Sequence, residues 1–326
     1  MSESSPSGSM SSPTSSISTS QPVPLRALIT GCQGQVGHAL VRHLPESAAA
    51  VTFDRQSLDL SDLDHLADHL HTAIETHRPT VLINAAAYTA VDRAESEPTL
   101  AFDVNALAPG IMATVAAAWQ IPIVHYSTDY VFDGTGTDPY TENDTPNPAS
   151  VYGRSKLAGE RAVIAANGPH LIFRTSWVFG AHGQNFLQTM LRLALERDAL
   201  KVVNDQIGAP TSTDLIAELT LTILKTMLGQ PTDDPRWGLY HLSADGHTSW
   251  HGYAAYLIEQ ARALGWPIRL SAADIQGIPS SEYPTDAARP MNSRLSTQKL
   301  QKAFGVKPSL WQDGVNETLS RLREIS

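Results

Sequence analysis

From position 25 onward, short apolar runs alternate with longer stretches in which apolar residues recur at helical spacing. Residues 25–30 (LRALIT) have the length and content of a buried strand. Glycines at 31, 34 and 37 follow, and 38–44 reads as a helix stopped by Pro45. A second apolar run, 49–53, ends at Asp54. Ser61 with Asp64 three residues on predicts a capped helix start. Leu63, Leu66, Leu70 and Ile74 share one face of the helix behind it, which Pro79 ends. Further strands are predicted at 80–87, 121–127 and 171–177, and helices at 106–119 and 151–167. Strands apolar throughout, each followed by a helix, predict an α/β fold: a Rossmann-type doubly wound parallel sheet covered on both faces.

After Gly180 the rhythm changes. A helix is predicted at 185–196, a short strand at 200–205, a helix at 214–228 and a strand at 239–242. The remainder reads as loop-rich, with three prolines in IQGIPSSEYPTDAARPMNSRL. The pattern divides the chain into a Ser-rich tail at 1–24 and a Rossmann domain at 25–180, to which 211–243 returns. Residues 181–210 and 244–326 make a smaller, interleaved C-terminal substrate-binding lobe.

Composition narrows the function. The chain has 326 residues, 42% of them hydrophobic, enough for a sizeable core. Thirty-three acidic against 23 basic residues give a net charge of −10, which disfavours a nucleic-acid backbone as partner. The most apolar stretch, 111–126, is broken by Thr114, Gln120, Pro122 and His125, so no membrane partner is expected. The N-terminal stretch lacks the basic start and apolar middle of a signal peptide, and a cytoplasmic location is expected. Cys32 is the one cysteine, which excludes an intramolecular disulfide and a Cys-based zinc cage.

Two constellations carry chemistry. Thr30-Gly31-Cys-Gln-Gly34-Gln-Val-Gly37 joins a strand to a helix, where glycines let backbone approach a pyrophosphate at the helix N-terminus. Asp54, 23 residues after Gly31, stands where an acid binds adenosine ribose hydroxyls; Arg55 beside it suits a 2′-phosphate, so NADPH and NADH both stay open. The second is Tyr152-Gly-Arg-Ser-Lys156, which puts a phenol and an ammonium one helical turn apart. A neighbouring cation lowers a phenol's pKa and fits it to a carbonyl/alcohol pair. Thr128 or Ser127, at a strand's C-terminal end, can hydrogen-bond the same phenol or the substrate oxygen. His65 and His69 could hold a metal but sit on the polar side of their helix. Cys32 reads as a small residue beside the coenzyme, and Trp119, Trp237 and Trp250 read as packing.

TGxxGxxG, NAAA at 84–87 and YxxxK resemble the extended short-chain dehydrogenase/reductase superfamily. STDYVFDG (127–134), VYGRSKLAGE (151–160), FRTSWVFG (173–180), NDQIGAPT (204–211) and RPMNSRL (289–295) resemble, within it, the dTDP-4-dehydrorhamnose reductase family. The resemblance implies reduction of the 4-keto group of dTDP-4-dehydro-L-rhamnose, a small-molecule substrate, by NADPH or NADH. It implies that Tyr152 donates the proton, Lys156 tunes the phenol and binds the nicotinamide ribose, and Thr128 tunes the phenol. Thr128, Asp129, Trp177 and Arg289 would contact the substrate. Gly31 and Gly37 would bind the coenzyme with Gly34, Gln35 and Val36, which would line the pyrophosphate, Asp54 the ribose, and Asp59 and Leu60 the adenine. Ala87, Tyr88, Thr89 and Tyr126 would face the coenzyme. Some relatives dimerise through Mg2+ held by a glutamate early in the first helix. His38-Ala39 stand there in this chain, which speaks against the metal and leaves a homodimer open. Two other readings compete: a nucleotide-sugar epimerase or dehydratase, and a non-catalytic partner resembling the regulatory subunit of methionine adenosyltransferase. Tyr130, where dehydratases carry a second acid, speaks against the former, and the intact Tyr152/Lys156/Thr128 set against the latter.

Overall fold

In the computed structural model, which describes residues 23–324, β1 (Arg26–Thr30) passes through the glycine turn into α1 (Gln35–His43) and β2 (Ala49–Phe53). Then follow α2 (Leu63–His77), β3 (Val81–Asn84), α3 (Val91–Ser96) and α4 (Pro98–Phe102). A π-helical turn (Asp103–Leu107) leads to α5 (Ala108–Ala118), β4 (Ile123–Thr128), α6 (Val151–Ala165) and β5 (His170–Thr175). The tail expected at 1–24 lies, up to residue 22, outside the described residues. β6 (Val178–Phe179), α7 (Phe186–Glu196), β7 (Leu200–Val203), β8 (Ile207–Gly208), β9 (Thr211–Ser212) and α8 (Thr213–Met227) come next. The chain closes with β10 (Gly238–His241), β11 (Thr248–Ser249), α9 (Trp250–Ala263), β12 (Ile275–Ile278), α10 (Gln298–Phe304) and α11 (Trp311–Glu324).

The main sheet has six parallel strands in the order β10-β5-β4-β3-β1-β2. Successive strand residues face opposite sides, and the sequence fills both with apolar side chains. Ala27, Ile29, Val81, Ile83, Val124, Leu171 and Phe173 join one core with α8 and α9, while Leu28, Leu82, Ile123 and Ile172 join the other with α2 and α5. Each fully buried aliphatic contributes about 1.5–3 kcal/mol. β2, at the edge, is exposed at Ala49, Ala50 and Thr52. The short pairs β7–β12, β8–β11 and β6–β9 lie outside this sheet.

Three expectations change. α2 begins at Leu63 with Asp62 before it and no side-chain cap, because the Ser61 hydroxyl donates instead to Asp59 Oδ1 at 2.7 Å. The helix expected at 106–119 begins at Pro98, eight residues earlier. Pro109 has no N–H for the carbonyl of Asn105, and the widened turn falls there. That freed carbonyl faces Gly159, where a Cβ would stand only 2.0 Å from it. The run Pro98–Ala118 is long and apolar enough to cross a membrane, yet 50% of its apolar 18-residue window is buried within the protein, as befits a core helix. The loop-rich remainder holds three helices. α9 was hidden because two tyrosines and a tryptophan share its repeat; its Tyr253, Leu257, Ile258 and Ala261 are buried.

Candidate active site

A cavity of about 760 Å³ opens at the carboxyl ends of the parallel strands, the place where open α/β sheets bind ligands. Gly31 follows β1, Asp54 follows β2, and 85–89 follow β3. Ser127, Thr128, Asp129 and Tyr130 end or follow β4, while Thr175 and Trp177 lie at the end of β5.

At one end the glycine turn does three separate jobs. Gly31 has φ +72°, and a Cβ there would meet Ala86 N at 2.6 Å, so the turn closes only on glycine. A Cβ at Gly37 would lie 2.2 Å from Gly31 O. Gly37 is therefore a packing residue and does not line the cavity, contrary to the coenzyme contact expected of it. Cys32 is likewise absent from the lining; its N–H donates to Phe53 O at 3.3 Å. Gly34 does line the cavity. It precedes α1 without a side-chain cap, so among the described residues no side chain takes up the first-turn amides behind it at Gln35 and Val36. An uncapped helix N-terminus that opens on a cavity fits a diphosphate, and the turn therefore fits a dinucleotide coenzyme.

Asp54 is fixed by its own turn. Oδ1 accepts the amides of Gln56 and Ser57 and the Ser57 hydroxyl, and Oδ2 accepts Gln33 Nε2 at 2.7 Å. The Ser57 hydrogen bonds lower its pKa, so it presents a carboxylate. Asp59 lines the same wall with Leu60 and meets Arg55 at 3.6 Å. Ala87, Tyr88 and Thr89 line the middle. Asn105, in the π-helical turn, holds the backbone of Tyr88 from both sides: its Oδ1 accepts the Tyr88 N–H and its Nδ2 donates to the Tyr88 carbonyl, at 2.8 and 3.0 Å. Tyr126 reaches the cavity, but its hydroxyl bonds Thr220 at 2.8 Å and its ring packs on Phe173.

α6 starts at the floor of this cavity because Ser150 caps it, accepting the Gly153 amide at 3.1 Å. A Cβ at Gly153 would stand 2.2 Å from Tyr130 O, so the helix abuts the end of β4. Tyr152, Lys156 and Thr128 thereby meet in one wall. The Tyr152 ring meets Tyr130 edge-on at 5.6 Å. Burial raises the Tyr152 pKa, and the Thr128 hydroxyl opposes the shift. The expected lowering by Lys156 does not appear in the chain itself: desolvation is the largest influence on the phenol, and the ammonium donates to Tyr126 O at 2.6 Å. Lys156 is 1% exposed, and burial pushes its pKa down to about 8 against the pull of Glu160. Ser127 is engaged elsewhere, donating to Glu160 Oε1 at 2.5 Å, which leaves Thr128 as the hydroxyl of the site.

The far end carries Trp177, Asp129 and Arg289. Trp177 has φ +48°, a conformation rare outside glycine, and stacks on Trp250 at 3.6 Å. Gly208 allows this, since a Cβ there would lie 2.4 Å from the Trp177 ring. Trp250, expected only to pack, lines the cavity; nothing in the sequence links it to a tryptophan 73 positions earlier. Gln33, Gly183, Gln184 and Asn185 were also missed, being unremarkable loop residues that only the fold brings to the rim. Arg289 donates to Asp92 Oδ2 at 2.6 Å and to the Tyr130 hydroxyl at 3.2 Å.

Asp129 is 3% exposed, and its Oδ2 has no hydrogen-bond partner among the described residues. Burial raises its pKa from 3.8 to about 6. A carboxyl raised in the fold destabilises fully above that value and not at all below its unfolded one. Asp129→Asn is therefore expected to gain roughly 1–3 kcal/mol at neutral pH, a rise of a few degrees in Tm that fades as pH falls through 6 toward 4. Melting curves at both ends of that window check it; an equal gain at pH 4 would contradict the assignment.

Mg2+ finds no fit at the first helix. α1 has no acid in its first turn, and Asp214, which faces it, is already bound by Arg42, His43 and Arg321. His65 is exposed and paired with Asp62 at 2.9 Å.

Comparison with known proteins agrees with this geometry. The family described as RmlD substrate binding domain matches residues 25–324. The dTDP-4-dehydrorhamnose reductase of Escherichia coli (strain K12) is 44% identical over 298 residues, 91% of this chain and 98% of that protein. The dTDP-4-dehydrorhamnose reductase of Bacillus anthracis, solved in complex with NADP, superposes with a TM-score of 0.83 at 31% identity, covering 92% of this chain and all of that one. A UDP-glucose 4-epimerase from Thermus thermophilus, 20% identical with a TM-score of 0.73, shares the fold. The long motifs, the cavity and these end-to-end likenesses place one conclusion beyond the fold: the chain belongs to the dTDP-4-dehydrorhamnose reductase family.

Proposed function

We propose that the chain reduces the 4-keto group of dTDP-4-dehydro-L-rhamnose to the alcohol of dTDP-L-rhamnose, with NADPH or NADH as reductant. One observation carries this: Tyr152, Lys156 and Thr128 share a cavity with the glycine turn and Asp54. Residues 25–180 with 211–243 would bind the coenzyme, and 181–210 with 244–326 the sugar nucleotide, in the cytoplasm. When bound, the reduced nicotinamide supplies a hydride. Gly34, Gln35 and Val36 would hold the pyrophosphate, Asp54 the adenosine ribose, Asp59 and Leu60 the adenine, and Lys156 the nicotinamide ribose.

The remaining chemistry belongs to the side chains. Tyr152, kept protonated by burial, gives its proton to the 4-oxygen as charge develops there. Thr128 steadies the phenol, and Lys156 stabilises the phenolate left behind. Arg289 is the cation at the substrate end, and the Trp177–Trp250 stack offers an apolar platform.

Enzymatically prepared dTDP-4-dehydro-L-rhamnose is expected to oxidise one equivalent of coenzyme in the presence of the purified chain. Coenzyme binding without ketosugar turnover would overturn the proposal. Its pH dependence has a defined sign. The Lys156 ammonium is lost as pH rises through about 8, so kcat/KM, which reports the free enzyme, is expected to fall above that pH. A flat profile up to pH 10 would remove Lys156 from this role.

A further inference from the structure

Beneath the cavity lies an ion pair that the proposed reaction does not use. Arg174 on β5 forks onto Glu160 on α6, with Nε to Oε1 at 2.8 Å and Nη2 to Oε2 at 2.7 Å. The two side chains are only 4% and 2% exposed. Ser127, which lines the cavity beside Thr128, donates to the same Oε1. The Arg174 guanidinium also lies 5.0 Å over the Phe132 ring, so the pair is fixed from both sides. Glu160 follows Lys156 by one helical turn, as Lys156 follows Tyr152, and the three share a face of α6.

Lys156 is a cation almost sealed from water, with one hydrogen bond among the described residues, to a neutral carbonyl. A buried charge needs a counter-charge. The groups around it are few. Tyr152 and Glu160 share its helix. β4 brings His125, kept neutral by burial, and Asp129 and Tyr130 follow that strand beside Tyr152. β5 brings Arg174. Asp129 sits at the phenol, and Glu160 is the carboxylate that acts on the ammonium.

We propose that Glu160 is a positioning residue for the reaction: clamped by Arg174 and Ser127, its carboxylate supplies the counter-charge that holds the Lys156 ammonium beside Tyr152. This rests on the role given above to Lys156. Burial lowers the Lys156 pKa and Glu160 raises it, in keeping with that arrangement.

The test is the titration of Lys156 itself, followed through its ¹³Cε NMR signal in the full chain and assigned by its loss in Lys156→Met. Glu160→Gln is expected to lower the midpoint by about one unit or more, because the buried ammonium loses an anion. Removing both charges, Glu160→Gln with Arg174→Met, spares the fold an unpaired buried charge and is expected to lower the midpoint as well. Glu160→Asp keeps the charge and restores most of the wild-type value, and the alkaline limb of kcat/KM follows the same order. An unmoved midpoint in a folded Glu160→Gln or double variant overturns the proposal. So does a double variant that fails to fold, which would confine the pair to stability. The NMR arm needs no turnover, so failure of ketosugar reduction would count against the proposed reaction and leave this result standing.

Discussion

Tyr152→Phe is expected to lower kcat by about 10²–10⁴-fold while coenzyme affinity stays unchanged. Reduction of a ketone puts negative charge on its oxygen, and a positioned acid must neutralise that charge in or near the transition state. The phenol is the acid that the fold delivers. α6 is capped by Ser150, pressed onto the end of β4 at Gly153, and carries Tyr152 in its first turn. Phenylalanine keeps the ring that meets Tyr130 edge-on and removes only the hydroxyl. Melting temperature and coenzyme titration of the variant serve as controls. Near-normal turnover would require another donor, and Lys156, whose pKa of about 8 also permits proton transfer, would be the next to examine.

Gly34→Val is expected to weaken coenzyme binding by about 100-fold or more, roughly 2.7 kcal/mol, with the fold intact. Gly34 has φ −75° and ψ 167°, open to any residue, and a Cβ there would meet one atom, Gly31 O, at 3.2 Å. The rest of the side chain enters the cavity that the coenzyme needs. The other two glycines of the turn give a useful contrast. A Cβ at Gly31 or Gly37 would press on backbone at 2.6 or 2.2 Å, so substitution there damages the turn before any ligand is involved. Calorimetric titration beside a thermal melt separates the two cases. A folded Gly34→Val with wild-type affinity would remove the glycine turn from the coenzyme site.

The parallel sheet was legible because its strands are apolar on both faces, a pattern few other folds need: Ala27 and Ile29 face one core and Leu28 the other. The glycine turn, Asp54, Thr128 and Tyr152/Lys156 were legible because each sits at a strand end or a helical turn, where local spacing carries the geometry. The Trp177–Trp250 stack was not, because its partners are joined only by tertiary structure, with Gly208 and a positive φ as the devices that make room. Nor was the protonation of the phenol. The sequence shows a lysine nearby, but desolvation depends on how deeply α6 is buried, and here it prevails. The π-helical turn escaped for a similar reason: Pro109 warns of a break, and only the fold shows Asn105 using it to grip Tyr88.

The central claim is direct transfer of hydride from coenzyme to the sugar's C4, with Tyr152 supplying the proton. The most direct measurement uses NADPH carrying deuterium on the transferred position of the nicotinamide, with dTDP-4-dehydro-L-rhamnose in ordinary water. The account predicts dTDP-L-rhamnose with one deuterium, at C4 of the sugar, and its rate of formation falling with Tyr152→Phe. Product without deuterium, or deuterium at another carbon, would contradict it.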